Sequence, residues 1–286
     1  MQKLEQVNNI TVIGGEGSFG RHLIPHLQSI TAQVTSISQG DGEIEKSDKI
    51  GNADAIIISV PISHTVDVTR DLAGYALENK LVIDVSGLKS NTVPELERLV
   101  AAEKVSIHPM FLPNLESFQG KNILEVLDQG GEKWEEMKQF LLREGINFTA
   151  MTPQEHDVKM GYIQNVPHIL TLLFNQTITS VGGDTNDLSK LSTPNVELLN
   201  LMTGRVLSNS GSTFGEMMMH NDALKDYILP MMQRKLAELS DIIYSGDMQG
   251  FNQLFGQLQS GLGEEFIKTG NTQSNTALAV LNTHKK

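Results

Sequence analysis

The chain has no cysteine among its 286 residues, which removes disulfide frameworks, thiolate nucleophiles and cysteine metal sites from consideration. That agrees with a reducing compartment. No apolar run approaches the roughly 20 residues needed to cross a bilayer, and the opening segment MQKLEQVNN lacks the apolar stretch of a secretory signal. A cytoplasmic protein with no membrane partner is expected. Positive charge is also scarce, with 22 Lys and Arg against 34 Asp and Glu, a formal net charge of −12. Without a basic patch such a chain has no means to hold a phosphate backbone, so nucleic acid is not an expected partner. There is no internal repeat and no low-complexity tract, and the closing NTHKK reads as a frayed end. What is present is ordinary for a large globular core: 39% hydrophobic residues in a length that suggests two domains.

The most informative segment is NITVIGGEGSFG, residues 9 to 20. An apolar run of Ile10, Val12 and Ile13 leads into Gly15-x-Gly17-x-x-Gly20 with Glu16, Ser18 and Phe19 between, the spacing of a dinucleotide-binding turn. Gly15 permits the tight turn, Gly17 lets backbone approach a pyrophosphate, and Gly20 lets the next helix pack on the sheet. The helix start then offers free N–H groups and partial positive charge to the phosphates. A tight strand-to-helix turn without a ligand is the plain alternative; the strand before and helix pattern after favour a nicotinamide dinucleotide.

From residue 9 to about 150, strand-like runs alternate with helical patterns. Strands are expected at Ile10–Ile13, Gln33–Ile37, Ala55–Val60, Leu81–Val85, Val105–Ile107 and Ile123–Val126. Helices are expected at Ser18–Ser29, kinked by Pro25, and at Thr65–Leu77, Thr92–Ala102 and Lys133–Arg143. The first half, 1–150, is therefore α/β, a mostly parallel sheet. Beyond it strand patterns cease, and Thr152-Pro153-Gln154-Glu155 is a capping box with proline at the first helical position. Helical patterns follow at Asp187–Leu207, Phe214–Ser245 and Met248–Lys268, with Pro194 and Pro230 as boundaries or kinks. Residues 151–286 are expected to be all-helical, and apolar enough to form a homodimer.

In a doubly wound sheet ligands lie beyond the carboxyl ends of the strands. Three strand ends therefore matter: Ser59-Val60-Pro61, the stretch Asp84 to Lys89 containing Ser86 and Gly87, and Ile107-His108-Pro109. His108 suits general-base chemistry, since a histidine accepts a proton near neutrality; a hydrogen-bonded loop histidine is the alternative. On the capped helix stand His156, Gln164 and His168. Twelve residues of helix span about 18 Å, so His156 and His168 cannot both touch one small ligand atom or share a metal. One of them must be peripheral. Arg205 lies in a mostly uncharged helical stretch and needs an anionic partner, for which a ligand carboxylate is one candidate.

The series VIGGEGSFG, ADAIIISVP, LVIDVSGLK, IHPMF, EHDVKMGYIQ and LMTGR, in this order, resembles the prephenate dehydrogenase family across roughly residues 9 to 230. The resemblance implies an N-terminal Rossmann domain, a helical C-terminal dimerisation domain, and oxidative decarboxylation of a cyclohexadienyl small molecule with a nicotinamide cofactor. It extends to the dehydrogenase part of the enteric fused enzymes, and with nine residues ahead of the first strand a chorismate mutase domain is not expected. By resemblance His108 takes the proton of the ring 4-hydroxyl as hydride leaves C4, and loss of the ring carboxylate as CO2 aromatises the ring. Arg205 matches the arginine that binds a substrate carboxylate. His156 and His168 match histidines near the substrate pocket, with Gln164 close by.

Three departures stand out. Where many relatives carry the serine that contacts the ring 4-substituent and the catalytic histidine, this chain has Gly87, with Ser86 one place earlier. After IHPMF, Leu112-Pro113-Asn114 replaces the frequent Gly-Ala-Asp. Some relatives diverging in this loop act on 4-amino-4-deoxyprephenate, a precursor in antibiotic pathways, so the resemblance sets that substrate beside prephenate. Ser38-Gln39 ends the second strand where an acidic residue would bind the ribose 2′-hydroxyl of NAD. With no carboxylate there NADP stays open, while the lack of an adjoining arginine favours NAD. An arogenate or β-hydroxyacid dehydrogenase and a non-enzymatic NAD(H) sensor are the remaining readings.

Overall fold

A computed structural model describes residues 3–111 and 117–283, and the expected departure at Leu112-Pro113-Asn114 lies outside them. The chain divides into two compact units: Met1–Met160 with Gly215–Asp222, and Gly161–Phe214 with Ala223–Lys286. The expected division after residue 150 differs from this one in two pieces, the helix Pro153–Met160 and the segment Gly215–Asp222, both of which belong to the first unit.

The first unit runs β1 (Asn9–Ile13), α1 (Ser18–Ile30), β2 (Gln33–Ile37), α2 (Glu43–Gly51), β3 (Ala55–Ile58), α3 (Ile62–Asp71), β4 (Leu81–Asp84), α4 (Val93–Glu97), β5 (Glu103–Pro109), β6 (Asn122–Gln129), α5 (Glu132–Arg143), β7 (Asn147–Ala150) and α6 (Pro153–Met160). The sheet order is β2-β1-β3-β4-β5-β6-β7, with β5 and β6 antiparallel and every other pair parallel. This is the α/β nucleotide-binding plan expected. Its strands read as continuous apolar runs because both faces are covered. Ala55, Ile57, Leu81 and Ile83 join the core under α1 and α5, whereas their neighbours Ile56, Ile58 and Val82 join the core that holds Ile50 of α2 and Leu96 of α4. Strand order reverses between β1 and β3, so a crevice opens above β1 where α1 and α3 diverge.

Pro25 lies inside α1, which nonetheless runs unbroken from Ser18 to Ile30. Two elements differ from the sequence reading by addition: α2, whose nine residues bury only Ile50, and the short strand β7.

The second unit is helical, as expected. It contains a π-helical turn (Gly161–Asn165), α7 (Val166–Ser180), α8 (Thr185–Lys190), α9 (Pro194–Leu207), the start of α10 (Gly211–Met219), a second π turn (Leu224–Ile228), α11 (Leu229–Ser245), α12 (Met248–Leu262) and α13 (Glu264–Thr283). The capping box forms: the Glu155 amide donates to Thr152 Oγ1 at 3.2 Å, and the Thr152 amide donates to Glu155 Oε2 at 3.0 Å. Pro194 and Pro230 stand at helix starts rather than at kinks. The expected helix Met248–Lys268 is two helices, divided at Gly263, whose φ of +83° no side-chain-bearing residue adopts readily. Among the described residues no helix is long and apolar enough to cross a membrane.

Candidate active site

The glycine turn has the geometry its spacing implies. A Cβ on Gly15 would fall on the Ser36 hydroxyl, and one on Gly20 would lie 2.6 Å from the Gly14 carbonyl oxygen. A Cβ on Gly17 would stand 3.1 Å from that same oxygen. Gly17 caps α1 without a side chain, and no acidic residue occupies the first turn, so the amides of Ser18 and Phe19 are left to an incoming anion. Glu16 is exposed, and its carbonyl accepts from Arg21 at 3.0 Å. Ser59 closes the far side of the turn: its amide donates to the Ile13 carbonyl at 2.9 Å and its own carbonyl abuts Gly14. Val60 is half-buried behind it, and Pro61 caps α3. These residues fit a dinucleotide pyrophosphate.

Beyond β4 and β5 lies a buried polar series. His108 is not past the strand but within it, opposite Leu124 of β6. Its Nδ1 lies 2.9 Å from Nε2 of His156 on α6, and His156 Nδ1 lies 2.7 Å from Asp157 Oδ1. Two consecutive amides, Lys89 N and Ser90 N, each donate to Asp157 at 2.9 Å. Burial pushes the Asp157 carboxyl upward, but its bonds with His156, Ser90 and Lys89 outweigh this and hold it low. It is therefore an acceptor at neutral pH. Burial lowers His108 well below the usual histidine value, with the neighbouring His156 and Lys89 adding to the effect, and burial lowers His156 too.

These facts fix the tautomers. Ionised Asp157 must accept from His156 Nδ1–H, so neutral His156 presents a bare Nε2. That nitrogen must accept from His108 Nδ1–H, so neutral His108 carries its lone pair on Nε2. The series ends in a base.

Beneath it Lys89 is fully buried and paired with Asp84 at 2.7 Å; its ammonium also donates to the Ile107 carbonyl at 2.8 Å. Asp84 further accepts from Ser106 Oγ at 2.7 Å and from the Ser86 amide at 2.9 Å. This network ties the ends of β4 and β5 together. Ser86 donates its hydroxyl to the Leu88 carbonyl at 2.8 Å. Gly87 has no positive φ, and a Cβ there would meet Met217 Sδ of α10 at 3.4 Å, an ordinary contact. The same segment brings the Asn221 amide to the Asp157 carbonyl at 2.8 Å.

In the second unit, Gln164 and His168 share a helix face four residues apart. Gln164 Oε1 and His168 Nδ1 are both buried atoms without a partner among the described residues. The His168 ring meets Phe214 edge-on at 4.3 Å, and burial lowers its pKa. Arg205 on α9 is exposed, and no carboxylate among the described residues pairs with its guanidinium.

Sequence reasoning weighed His156 only against His168 and missed its bond to His108, 48 residues away. It also missed Asp41. The Asp41 amide donates to the Ser38 carbonyl at 3.3 Å, and the carboxylate accepts from the Ser38 amide at 3.2 Å and from the Ser38 hydroxyl at 3.0 Å. A carboxylate does stand at the end of β2, contrary to the expectation from Ser38-Gln39. The signal was the turn composition of Ser38-Gln39-Gly40-Asp41-Gly42. Among the described residues no three metal-ligating side chains cluster.

A family model described as the nucleotide-binding domain of prephenate dehydrogenase matches residues 28–124, and one described as its dimerization domain matches residues 152–257. The chain is 23% identical over 265 residues to the T-protein of Haemophilus influenzae, covering 92% of this chain and 70% of that one. It is 23% identical over 293 residues to a probable arogenate/prephenate dehydrogenase of Methanocaldococcus jannaschii, covering 95% and 65%. The chain thus spans about two thirds of the length of both relatives. Among solved structures, prephenate dehydrogenase from A. aeolicus in complex with hydroxyphenyl propionate and NAD+ superposes with a TM-score of 0.62 at 15% identity, covering 96% of this chain and 98% of that one. At that identity the likeness is one of fold.

Proposed function

The chain belongs to the prephenate dehydrogenase family of NAD-dependent oxidoreductases, and from that membership we propose that it converts prephenate to 4-hydroxyphenylpyruvate, CO2 and NADH. The observation that carries this reading is the series His108–His156–Asp157, which leaves a lone pair on the Nε2 of a buried His108 in the sheet that carries the dinucleotide turn. Bound NAD+ supplies the hydride acceptor. His108 accepts the 4-hydroxyl proton while hydride leaves C4, and the new charge on its ring is shared through Nδ1–H with His156 and Asp157. The bond to the ring carboxylate then breaks, CO2 departs, its electron pair completes the aromatic ring, and the 4-oxygen regains its proton from His108. General-base assistance of this kind contributes about 10²–10⁴ in rate.

Substrate carboxylate binding falls to Arg205, whose guanidinium is free for a bidentate pair. Gln164 and His168 offer two unpartnered polar atoms to the same ligand. The helical unit forms the homodimer, and the enzyme works in the cytoplasm. A second reading, 4-amino-4-deoxyprephenate as substrate, is favoured by Gly87, where Met217 rather than a hydroxyl fills the space beside the loop.

The test is NAD(P)H formation with prephenate, arogenate and 4-amino-4-deoxyprephenate measured side by side, in the wild type and in Gly87→Ser. Prephenate should give the highest kcat/KM. A wild type that prefers the 4-amino compound, with Gly87→Ser reversing the order, establishes the second reading; no turnover of any of the three refutes both.

A further inference from the structure

We propose that Asp41 is the residue that selects NAD over NADP, taking the place of the acidic residue that Ser38 and Gln39 lack. The inference rests on the cofactor reading above. In a sheet of this plan the adenosine ribose lies beside the end of the second strand, and its 2′-hydroxyl is bound there by a carboxylate. The end of β2 borders the glycine turn, since the Gly14 amide donates to the Ile37 carbonyl at 2.9 Å and Ser36 Oγ abuts Gly15. The next residue is Ser38. The turn from Ser38 to Asp41 folds the Asp41 carboxylate back onto Ser38, so the acid arrives three positions late in sequence and at the strand end in space.

Its state suits the task. Its bond to the Lys49 ammonium at 2.7 Å lowers its pKa, with the bond from the Ser38 amide adding to this, so it is ionised throughout the neutral range. Oδ2 accepts from both Lys49 and the Ser38 amide, whereas Oδ1 accepts only from the Ser38 hydroxyl. A carboxylate oxygen carries about two lone pairs, so Oδ1 retains one for a ribose hydroxyl. The aspartate is 16% exposed, enough to reach a ligand yet braced on both oxygens.

The nearby cations do not reverse this. Lys49 is held by Asp41 and by Glu45 at 2.7 Å, and Lys46 by Glu43 at 2.8 Å. Three carboxylates face two ammonium groups, and a 2′-phosphate would meet a net negative surface with no arginine fork to receive it.

The test is titration of the free protein with NADH and with NADPH, following nucleotide fluorescence, for the wild type, Asp41→Asn and Lys49→Met. The wild type should bind NADH at least about thirtyfold tighter than NADPH. Asp41→Asn should shrink that ratio about tenfold or more, by weakening NADH and strengthening NADPH. Lys49→Met, which leaves the carboxylate uncompensated, should widen it. A wild type that binds NADPH as tightly as NADH, or an Asp41→Asn ratio within twofold of wild type, overturns the assignment and leaves the dehydrogenase reading intact. Failure of the wild type to bind either nucleotide overturns both.

Discussion

Replacing Asp157 by asparagine changes one atom, yet it should disable a base two residues removed from it. The carboxylate accepts three hydrogen bonds in the plane of its oxygens: Oδ1 from His156 Nδ1 and Lys89 N, Oδ2 from Ser90 N. An asparagine has one oxygen for these places. With that oxygen toward His156 and Lys89, its NH2 group faces the Ser90 amide, donor against donor, an unsatisfied buried contact costing about 1–3 kcal/mol. With the group turned over, the NH2 faces His156 Nδ1 and the Lys89 amide. His156 then answers by carrying its proton on Nε2, His108 must present a bare Nδ1 to it, and the proton of His108 moves to Nε2, where the lone pair was needed. The turned-over arrangement lowers kcat by about 10²–10⁴, for a base in the wrong tautomer, and it is the one expected because the first keeps a donor clash at Ser90 and also loses the negative charge that supports a protonated His108. NADH affinity should stay within a few-fold, because the glycine turn is untouched. The assay is kcat, KM and NADH binding at pH 7.5, with thermal unfolding to confirm a folded variant. A folded Asp157→Asn enzyme with wild-type kcat would refute the tautomer argument.

Lys89→Met should destabilise the protein by about 3–5 kcal/mol, since it strands the buried Asp84 charge; urea unfolding checks this, and adding Asp84→Asn should recover part of the loss. Because His108 and His156 have folded pKa values below the 6.5 of the unfolded chain, the stability tied to their neutral forms is fully present above pH 6.5 and lost as pH falls from 6.5 toward the folded values. Each contributes a slope of up to about 1.4 kcal/mol per pH unit, and equal urea midpoints at pH 7.5 and 5.5 would contradict it. By the same lowered pKa, kcat/KM should hold at pH 6 rather than halve at 6.5. Arg205→Gln should raise KM for the substrate about ten- to hundredfold, from a charge-assisted bond of about 1.5–3 kcal/mol; an unchanged KM removes Arg205 from the binding site.

What the sequence made legible was local. Gly15, Gly17 and Gly20 announce a turn because each answers a steric demand within a dozen residues, and the apolar runs of β1, β3 and β4 announce strands because both their faces are buried. Thr152 and Glu155 announce a helix start for the same reason. What stayed hidden was contact across distance or against pattern. The bond from His108 to His156 depends on where the carboxyl end of β5 meets α6, which no spacing encodes. Helix α2 has just two large apolar residues, Ile44 and Ile50, and buries only the second, so its sequence offers little apolar pattern to read. Strand β7 is a short edge with only Phe148 turned partly inward. Asp41 was passed over because the expected position was counted along the strand, while the turn after it changes which residue stands at the strand's end.

The eight-residue piece Gly215–Asp222 comes from the helical half of the chain but folds with the sheet. The polypeptide therefore passes from one unit to the other three times, at Met160, Phe214 and Asp222. Two modules joined by one linker can be cut apart, exchanged or duplicated by a single breakpoint; these cannot. A fragment ending at Met160 would lose Met217 from beside Gly87 and the Asn221 bond to the Asp157 carbonyl. A single breakpoint at Met160 therefore cannot deliver a complete sheet unit, and sequence change in Gly215–Asp222 answers to the sheet with which it folds.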